Sequence, residues 1–282
     1  MRRNRHLEVC RSQHAQRRGF TLIELLVVIA VIALLMAILM PALQRVKRQA
    51  KAVICRSNLR QWGVMFYAYT QDNEMRFFEG TPYGGYPEWC KPMTPYHRNI
   101  SDLLFCPMAT KHRAGPNFSH PWGGGKYSAW DLRADPKYGV AGSYGLNDWV
   151  WSVPEGPPSS FLNTRKAMYW QTCLDPQAHS VPVLLDGMFA GGVPQSGDGP
   201  PEIEDVHPAN TGGSCMMGHF CVNRHDGFEN CLFMDWSVRR IGIKELWTLK
   251  WQRQFDTTGP WTQAGGVRPE RWPQWMRRFR DY

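Results

Sequence analysis

The sequence predicts an α+β fold in which a long N-terminal helix packs on a mainly antiparallel β-sheet with long loops. Residues 20–40 form an apolar run, and residues 41–70 extend it with apolar side chains at helical spacing. Residues 71–165 then divide into short blocks rich in Gly, Pro and aromatic residues, which favour loops and short strands. Residues 181–189 predict a buried strand that ends at a turn, and residues 225–241 predict a hairpin.

The run from Phe20 to Met40 is long enough to cross a bilayer, because a spanning helix needs about 20 mostly apolar residues. Its single charge is Glu24, near the N-terminal end. A carboxylate in hydrocarbon is costly, so such a residue usually has a partner or a function. Pro41 follows the run, and a helix can continue through proline when its neighbours satisfy the freed carbonyl. We expect one transmembrane pass over residues 20–40.

The helix is expected to continue over residues 41–70 with one face on a core and the other in water. Arginine and lysine side chains fall largely between the apolar ones in this stretch. The apolar positions that predict the core-facing side are Val46, Ala50, Val53, Ile54, Trp62, Met65, Phe66 and Tyr69.

Residues 1–19 form a basic leader, with six arginines against one glutamate and hence a net charge of +5. The positive-inside rule predicts that this leader stays in the cytoplasm and that residues 71–282 form a head domain outside the cytoplasmic membrane. The apolar run is too long for the core of an ordinary secretory signal. Without the leader the formal net charge falls from +9 to +4, so the composition gives no reason to expect nucleic acid as a partner.

The run GFTLIEL at residues 19–25, with the apolar helix and Pro41 behind it, resembles the signal of type IV prepilins and type II secretion pseudopilins. The resemblance implies a type IV pilin-like fold, cleavage after Gly19 by a prepilin peptidase, and methylation of the new N-terminus, Phe20. It also implies that Glu24 pairs with the terminal amine of a neighbouring subunit during filament assembly. Such a pair is physically reasonable, because opposite charges neutralise each other inside lipid.

Four further elements resemble a large prepilin-like family whose C-terminal signature is His, nine residues, Asp-Gly. Residues 55–63 resemble its C-x-N-L-K-Q-x-G element, and residues 103–107 and 143–147 resemble its F-x-C-P and S-Y-G-x-N elements. In the fourth element, His225 and Asp235 have the required spacing of nine residues between them.

Trp236 stands where that family has glycine. The local pattern predicts a hairpin with strands at 230–233 and 237–241. An Asp-Gly pair suits a tight turn with positive φ, which tryptophan does not adopt easily, so we expect a different or wider turn here. We also expect His225 and Asp235 to hydrogen-bond to each other across the hairpin.

The sequence predicts no resident metal and no enzyme activity. His207 and His219 lie near His225 in the chain, yet neither C-x2-C nor H-E-x-x-H spacing occurs. The nucleophile-elbow, P-loop and dinucleotide-binding patterns are also missing from the sequence. Resemblance to pseudopilins leaves calcium as an open alternative, because some of them hold it in a C-terminal loop. The local oxygen cluster for such a site is Asp198, Glu202, Glu204 and Asp205.

The chain has eight cysteines, of which Cys10 lies in the leader, so an odd number remains outside the cytoplasm. Because Cys55 and Cys106 both lie in elements that resemble the family, we predict a disulfide between them that ties the helix to the head. Buried free thiols are the alternative.

The C-terminal residues 244–282 are rich in tryptophan. We predict a helix from 244 to about 255, with Trp247, Trp251 and Phe255 along one face. Packing in the core is the first interpretation of the remaining aromatic residues, and a surface for a partner or glycan is the second.

The predicted function is that of a subunit or minor component of a type IV pilus or a type II secretion pseudopilus. Its expected partners are the prepilin peptidase, other pilin or pseudopilin subunits and the cytoplasmic membrane. The alternative is a membrane-anchored protein that recognises a glycan or protein and uses the prepilin route only for export.

Overall fold

The structure is a computed structural model, and it describes residues 20–79, 87–97, 102–112, 123–155, 165–205 and 216–282. Helix α1 runs without interruption from Leu22 to Asp72, over 51 residues and through Pro41. The chain divides into two units after Val46. The first unit contains the apolar half of α1, and the second contains the rest of α1 and all the strands.

In the first unit, every side chain of α1 is exposed in the isolated chain. Among the described residues, α1 alone is long and apolar enough to cross a membrane, with a mean hydropathy of 3.2 over 18 residues. An apolar surface of this size is not stable in water, so it needs lipid or other helices around it. The segment fits membrane anchoring.

The second unit is built on a five-stranded sheet with the order β6-β4-β5-β7-β8. The pairs β4–β5, β5–β7 and β7–β8 are antiparallel, and β4–β6 is parallel. A smaller sheet has the order β1-β2-β3. The strands are β1 Lys111–His112, β2 Ser128–Asp131, β3 Ala141–Gly142, β4 Tyr144–Asn147, β5 Pro182–Asp186, β6 Gly191–Gly192, β7 Phe228–Phe233 and β8 Val238–Gly242. The predicted α+β fold with a mainly antiparallel sheet is confirmed.

Short helices fill the connections between the strands. Helix α2 spans Cys90–Met93. The 3₁₀ helices are Pro87–Trp89, Thr94–Tyr96, Asp102–Leu104, Lys166–Met168, Ala178–Ser180, Met216–His219, Ile243–Thr248 and Pro269–Arg271.

Strand β5 is buried at every position, which explains its nearly continuous apolar sequence, PVLLD. Its neighbours β4 and β7 cover both of its edges, in the register Gly145↔Leu185 and Leu185↔Cys231. The one charged residue of this strand, Asp186, is therefore at the centre of the sheet and fully buried.

Helix α1 contributes to the core through a stripe of Cys55, Leu59, Trp62 and Phe66, each with no exposed surface. This spacing of four, three and four residues follows the helical repeat. The prediction that Val53 and Ile54 face a core is wrong, because they are 52% and 50% exposed. The same applies to Val46 and Ala50, which are also exposed. The sheet and its loops bury α1 only from Cys55 onward, so the apolar pattern overestimates the length of the covered face.

The predicted hairpin is confirmed as β7–β8, but the premise that tryptophan would avoid positive φ in its turn is wrong. Trp236 donates from its backbone N–H to the carbonyl of Phe233 at 2.9 Å, and the N–H of Phe233 donates to the carbonyl of Ser237 at 2.9 Å. Trp236 has φ of 65°, the left-handed conformation that the third loop residue of this turn requires. Its ring stacks on Phe66 at 6.2 Å and 8° and meets the edge of Phe77 at 6.3 Å. These contacts offset the backbone strain.

The predicted C-terminal helix over 244–255 is wrong, because only a 3₁₀ helix, Ile243–Thr248, forms there. Beyond it the backbone bonds to other segments: the N–H of Lys250 donates to Ser180, and the carbonyl of Trp251 accepts from the side chains of Asn147 and Trp170. These groups are therefore unavailable for a helical repeat.

The tryptophan-rich tail packs into the core. Trp272 is 1% exposed, and the centroid of its ring lies 5.3 Å from the ring centroids of both Trp247 and Trp261. The indole N–H of Trp275 donates to the carbonyl of Pro201 at 3.0 Å. The first interpretation of these aromatic residues, core packing, describes what they do in the structure.

Candidate functional site

The N-terminal end of α1 is closed by a reciprocal cap between Thr21 and Glu24. One carboxylate oxygen of Glu24 accepts from the backbone N–H and the hydroxyl of Thr21, both at 2.8 Å, and the N–H of Glu24 donates to the Thr21 hydroxyl at 3.2 Å. This is a capping box, and the spacing T-x-x-E is its sequence signature. Phe20 is 74% exposed, and Gly19 lies outside the described residues. The pairing of Glu24 with another subunit remains a prediction.

A second group of polar side chains is buried in the head and consists of Cys55, Cys106, Asp186 and His225. One sulfur, oxygen or nitrogen atom of each lies within 4.8 Å of the others. Four separate parts of the chain supply them: helix α1, the loop after Asp102–Leu104, the end of β5 and the segment before β7. Within the described part of the chain, no other set of three or more His, Cys, Asp or Glu side chains comes this close together. We call these four residues the Cys-Asp-His cluster.

His225 pairs with Asp186, so the prediction that it pairs with Asp235 is wrong. Its Nε2 atom lies 3.2 Å from an oxygen of Asp186, and both side chains are at most 3% exposed. Asp235 lies in the exposed hairpin turn and accepts from the N–H and the hydroxyl of Ser237 at 3.0 and 2.6 Å. His225 precedes β7 and Asp235 follows it, and a six-residue strand is about 20 Å long, so the two cannot meet.

Cys55 and Cys106 lie in the same cluster, as the predicted disulfide requires. The sulfur of Cys106 is 3.5 Å from Nε2 of His225, and the sulfur of Cys55 is 3.9 Å from both oxygens of Asp186. In the structure both residues are free and buried thiols. The disulfide therefore remains a prediction, with its two partners in position.

Arg224 contacts the cluster through Asp186, and its side chain has no exposed surface. Its guanidinium donates to the carbonyls of Gly125 and Gly187 at 3.0 and 2.8 Å and to the carbonyl of Ser143. It also reaches an oxygen of Asp186 at 3.3 Å. A buried guanidinium is stable only when its donors are used in this way.

The pair of Asp186 and His225 is ionised. Burial alone would raise the pKa of Asp186, but the charge and hydrogen bond of His225, with the charge of Arg224, outweigh it and lower the pKa to about 2. Burial likewise opposes the charged form of His225, yet the carboxylate of Asp186 raises its pKa to about 10. Two buried opposite charges in hydrogen-bond contact stabilise each other's charged forms.

Three neighbouring groups are held in their neutral forms. Burial raises the pKa of the Cys106 thiol and, with the negative charge of Asp186, raises the pKa of the Glu229 carboxyl well above its ordinary range. Burial also raises the pKa of Tyr144, whose hydroxyl donates to the sulfur of Cys55 at 3.2 Å. One oxygen of Glu229 accepts from the N–H of Val222 at 3.0 Å.

No local sequence pattern identifies Asp186, Arg224, Tyr144 or Glu229 as a member of this site. Asp186 lies where the strand predicted over residues 181–189 meets its turn, and an acid at the end of a continuous apolar strand is a signal of a buried charge with a partner. Arg224, directly before His225, is the matching cation.

The four carboxylates considered for calcium do not fit that ion. Asp198 accepts from the backbone N–H of Gln195 and Met217, and Glu204 from Lys126 and Asn223. Asp205 accepts from the N–H of Lys126, and Glu202 is exposed. Three of these carboxylates therefore already accept hydrogen bonds from protein donors, and the fourth, Glu202, is exposed.

Comparison with known proteins identifies one element. A family model described as "Prokaryotic N-terminal methylation motif" matches residues 14–40. No curated protein and no solved structure matches the chain. The chain therefore carries a prepilin-type N-terminal methylation motif, and the matched residues include the capped end of α1 and its apolar half.

Proposed function

We propose that this protein is a prepilin-type subunit that enters a type IV pilus or type II secretion pseudopilus through its N-terminal helix. One observation carries the proposal: the methylation motif at residues 14–40 coincides with a capped apolar helix whose side chains are all exposed in the isolated chain. A helix of this kind needs lipid before assembly and other helices after it.

The route that we propose begins with the basic leader in the cytoplasm and the head outside the cytoplasmic membrane. A prepilin peptidase cuts after Gly19, and the new amino terminus, Phe20, is methylated. The protein acts by assembly and not as an enzyme. The burial of the Cys-Asp-His cluster supports this, because no member has a side chain open to a substrate.

The exposed apolar residues of α1 continue past the membrane-length segment. Val46, Val53 and Ile54 are 59%, 52% and 50% exposed, although all three are β-branched and apolar. Burying such side chains stabilises an assembly by roughly 25 cal/mol for each Å² of apolar surface removed from water. We propose that they extend the helix-to-helix contact of a filament beyond the bilayer.

The cap at Thr21 gives Glu24 a structural role, and the experiment must separate that role from assembly. Glu24→Gln keeps an oxygen that can accept from Thr21, because glutamine also serves in a capping box, but it removes the charge. Thr21→Val keeps the charge and removes the hydroxyl of the cap. Both variants are compared with the wild type and Glu24→Ala for membrane insertion and for recovery in sheared filaments.

If Glu24 pairs with a terminal ammonium, Glu24→Gln enters filaments as poorly as Glu24→Ala, whereas Thr21→Val still assembles. If Glu24→Gln assembles normally, charge pairing is refuted and capping alone explains the residue. The N-terminal mass of the membrane protein, with and without prepilin peptidase, tests the route itself. An uncut chain in the presence of the peptidase contradicts it.

We further propose membership of the prepilin-like family with the His, nine residues, Asp-Gly signature. The spacing of His225 and Asp235 and the tight turn after β7 support it, with Trp236 in the glycine position. The competing function, an anchored protein that binds a glycan or protein, predicts that the processed chain stays in the membrane and never appears in filaments.

A further inference from the structure

We propose that Cys55, Cys106, Asp186 and His225 bind one zinc ion in a closed, four-coordinate structural site. This inference is independent of the prepilin function. It rests on the positions of four donor atoms that arrive from distant parts of the chain.

The donor atoms are spaced as a tetrahedral site requires. Bonds of about 2.3 Å to sulfur and about 2.0–2.1 Å to nitrogen and oxygen place the donors of such a site about 3.3–3.8 Å apart. Here the oxygen–nitrogen separation is 3.2 Å, the sulfur–nitrogen separation is 3.5 Å and the sulfur–oxygen separation is 3.9 Å. The other three separations are at most 4.8 Å, so shifts of up to about 1 Å would complete the coordination.

The donor chemistry selects zinc. Two thiolates, an imidazole and a carboxylate are a set that suits a tetrahedral borderline ion, whereas calcium and magnesium require mostly oxygen donors. All four side chains are at most 3% exposed, so no open position remains for water or substrate. A closed site with four protein ligands is structural and not catalytic.

Charge balance favours the same ion. On binding, the two thiols and the imidazolium of His225 release three protons to solvent, so that His225 binds as a neutral ligand. The two thiolates and Asp186 then carry three negative charges together. Zinc supplies two positive charges, and the buried guanidinium of Arg224, 3.3 Å from Asp186, supplies the third. The loaded site is therefore neutral as a whole, which is what burial in a low-dielectric core demands.

A supporting shell surrounds these ligands. The hydroxyl of Tyr144 donates to the sulfur of Cys55 at 3.2 Å, and the N–H of Asn230 donates to Asp186 at 3.1 Å. The N–H of Cys106 donates to the hydroxyl of Ser143 at 2.5 Å. Hydrogen bonds of this kind orient metal ligands and tune their affinity.

The site would cross-link parts of the head that are far apart in the sequence. Strands β5 and β7 already pair with each other, whereas the long helix and the loop after Asp102–Leu104 are not strands of that sheet. Zinc would join the helix and the loop to the sheet. A disulfide between Cys55 and Cys106 would join only two of them and would leave no thiolate for a metal.

The test begins with the wild-type, full-length chain purified in mild detergent with a reductant and without chelators. Elemental analysis is expected to give about one zinc per chain. After removal of the metal, one equivalent of Co²⁺ is expected to produce the visible absorption of a tetrahedral cobalt–thiolate centre. A folded wild-type chain that contains no zinc and takes up neither ion, or one with an intact Cys55–Cys106 disulfide, overturns the proposal.

Variants locate the ion. Cys106→Ala is expected to lose zinc, whereas Cys231→Ala, which removes an equally buried thiol outside the cluster, is expected to keep it. Tyr144→Phe removes only the hydroxyl behind Cys55 and is expected to weaken zinc binding about 10- to 100-fold in competition with a chelator. Because that change keeps the ring, it remains informative even if Cys106→Ala does not fold. Unchanged zinc affinity in Tyr144→Phe contradicts Cys55 as a ligand.

Discussion

The turn between β7 and β8 allows a sharp test of backbone strain, because tryptophan occupies a position that favours glycine. Trp236 has φ of 65°, and its ring packs on Phe66 and Phe77. Replacing it with alanine removes the ring but keeps the strained conformation. Replacing it with glycine removes both. The difference between Trp236→Ala and Trp236→Gly therefore isolates the backbone.

The expected magnitudes follow from the packing and from φ. Truncating a fully buried aromatic side chain costs about 3–5 kcal/mol, and Trp236 is only partly buried, so Trp236→Ala should lower the free energy of unfolding by about 2–3 kcal/mol. Left-handed backbone costs an ordinary residue about 1 kcal/mol or more relative to glycine. Trp236→Gly should therefore be more stable than Trp236→Ala by about 1 kcal/mol.

A matched pair in the next strand provides the control. Arg240 is an exposed residue of β8 with ordinary extended backbone, where glycine is less stable than alanine by about 0.5–1 kcal/mol. Urea unfolding of the full chain in detergent, followed by circular dichroism, measures all four variants. We expect glycine to be more stable than alanine at position 236 and less stable than alanine at position 240. If alanine is the more stable residue at both positions, the strained turn is refuted.

Three further predictions concern the core. Glu229→Gln should raise the melting temperature at pH 8. The pKa of the buried Glu229 is raised, so its contribution to stability is complete below the ordinary pKa of 4.5 and is lost as pH rises. The gain in melting temperature should shrink toward pH 4.5, and a gain that does not depend on pH would contradict the raised pKa. Asp281→Asn should lower the free energy of unfolding by about 2 kcal/mol, because it leaves the buried ammonium of Lys244, 2.8 Å away, without its charged partner. A change below about 0.5 kcal/mol would show that the C-terminal tail does not pair with Lys244. Leu59→Ala should lower the free energy of unfolding by about 2–5 kcal/mol. Val64→Ala, at a residue that is 69% exposed on the same helix, should change it by less than about 0.5 kcal/mol. Similar values for the two variants would contradict the buried stripe of α1.

The sequence shows the residues of the candidate site but does not predict most of the contacts between them. His225, Cys55 and Cys106 all lie in recognisable motifs. The fixed spacing of His225 and Asp235 predicts that these two residues pair. That spacing puts a whole strand between them, and the true partner, Asp186, lies 39 positions earlier on the neighbouring strand. Pairing between strands is set by sheet register, which no local pattern contains.

The sequence by itself determined the features that depend on short-range pattern. Residues 20–40 specify a membrane-length helix through composition alone, T-x-x-E specifies its cap, and the turn signals around residue 235 specify a hairpin. The tertiary structure decided what depends on distant contacts: where the head begins to cover α1, how Trp236 is held in a strained turn, and which residues surround Asp186. The physical reason is that local propensity acts over a few residues, whereas burial and charge pairing act between segments that only the completed fold brings together.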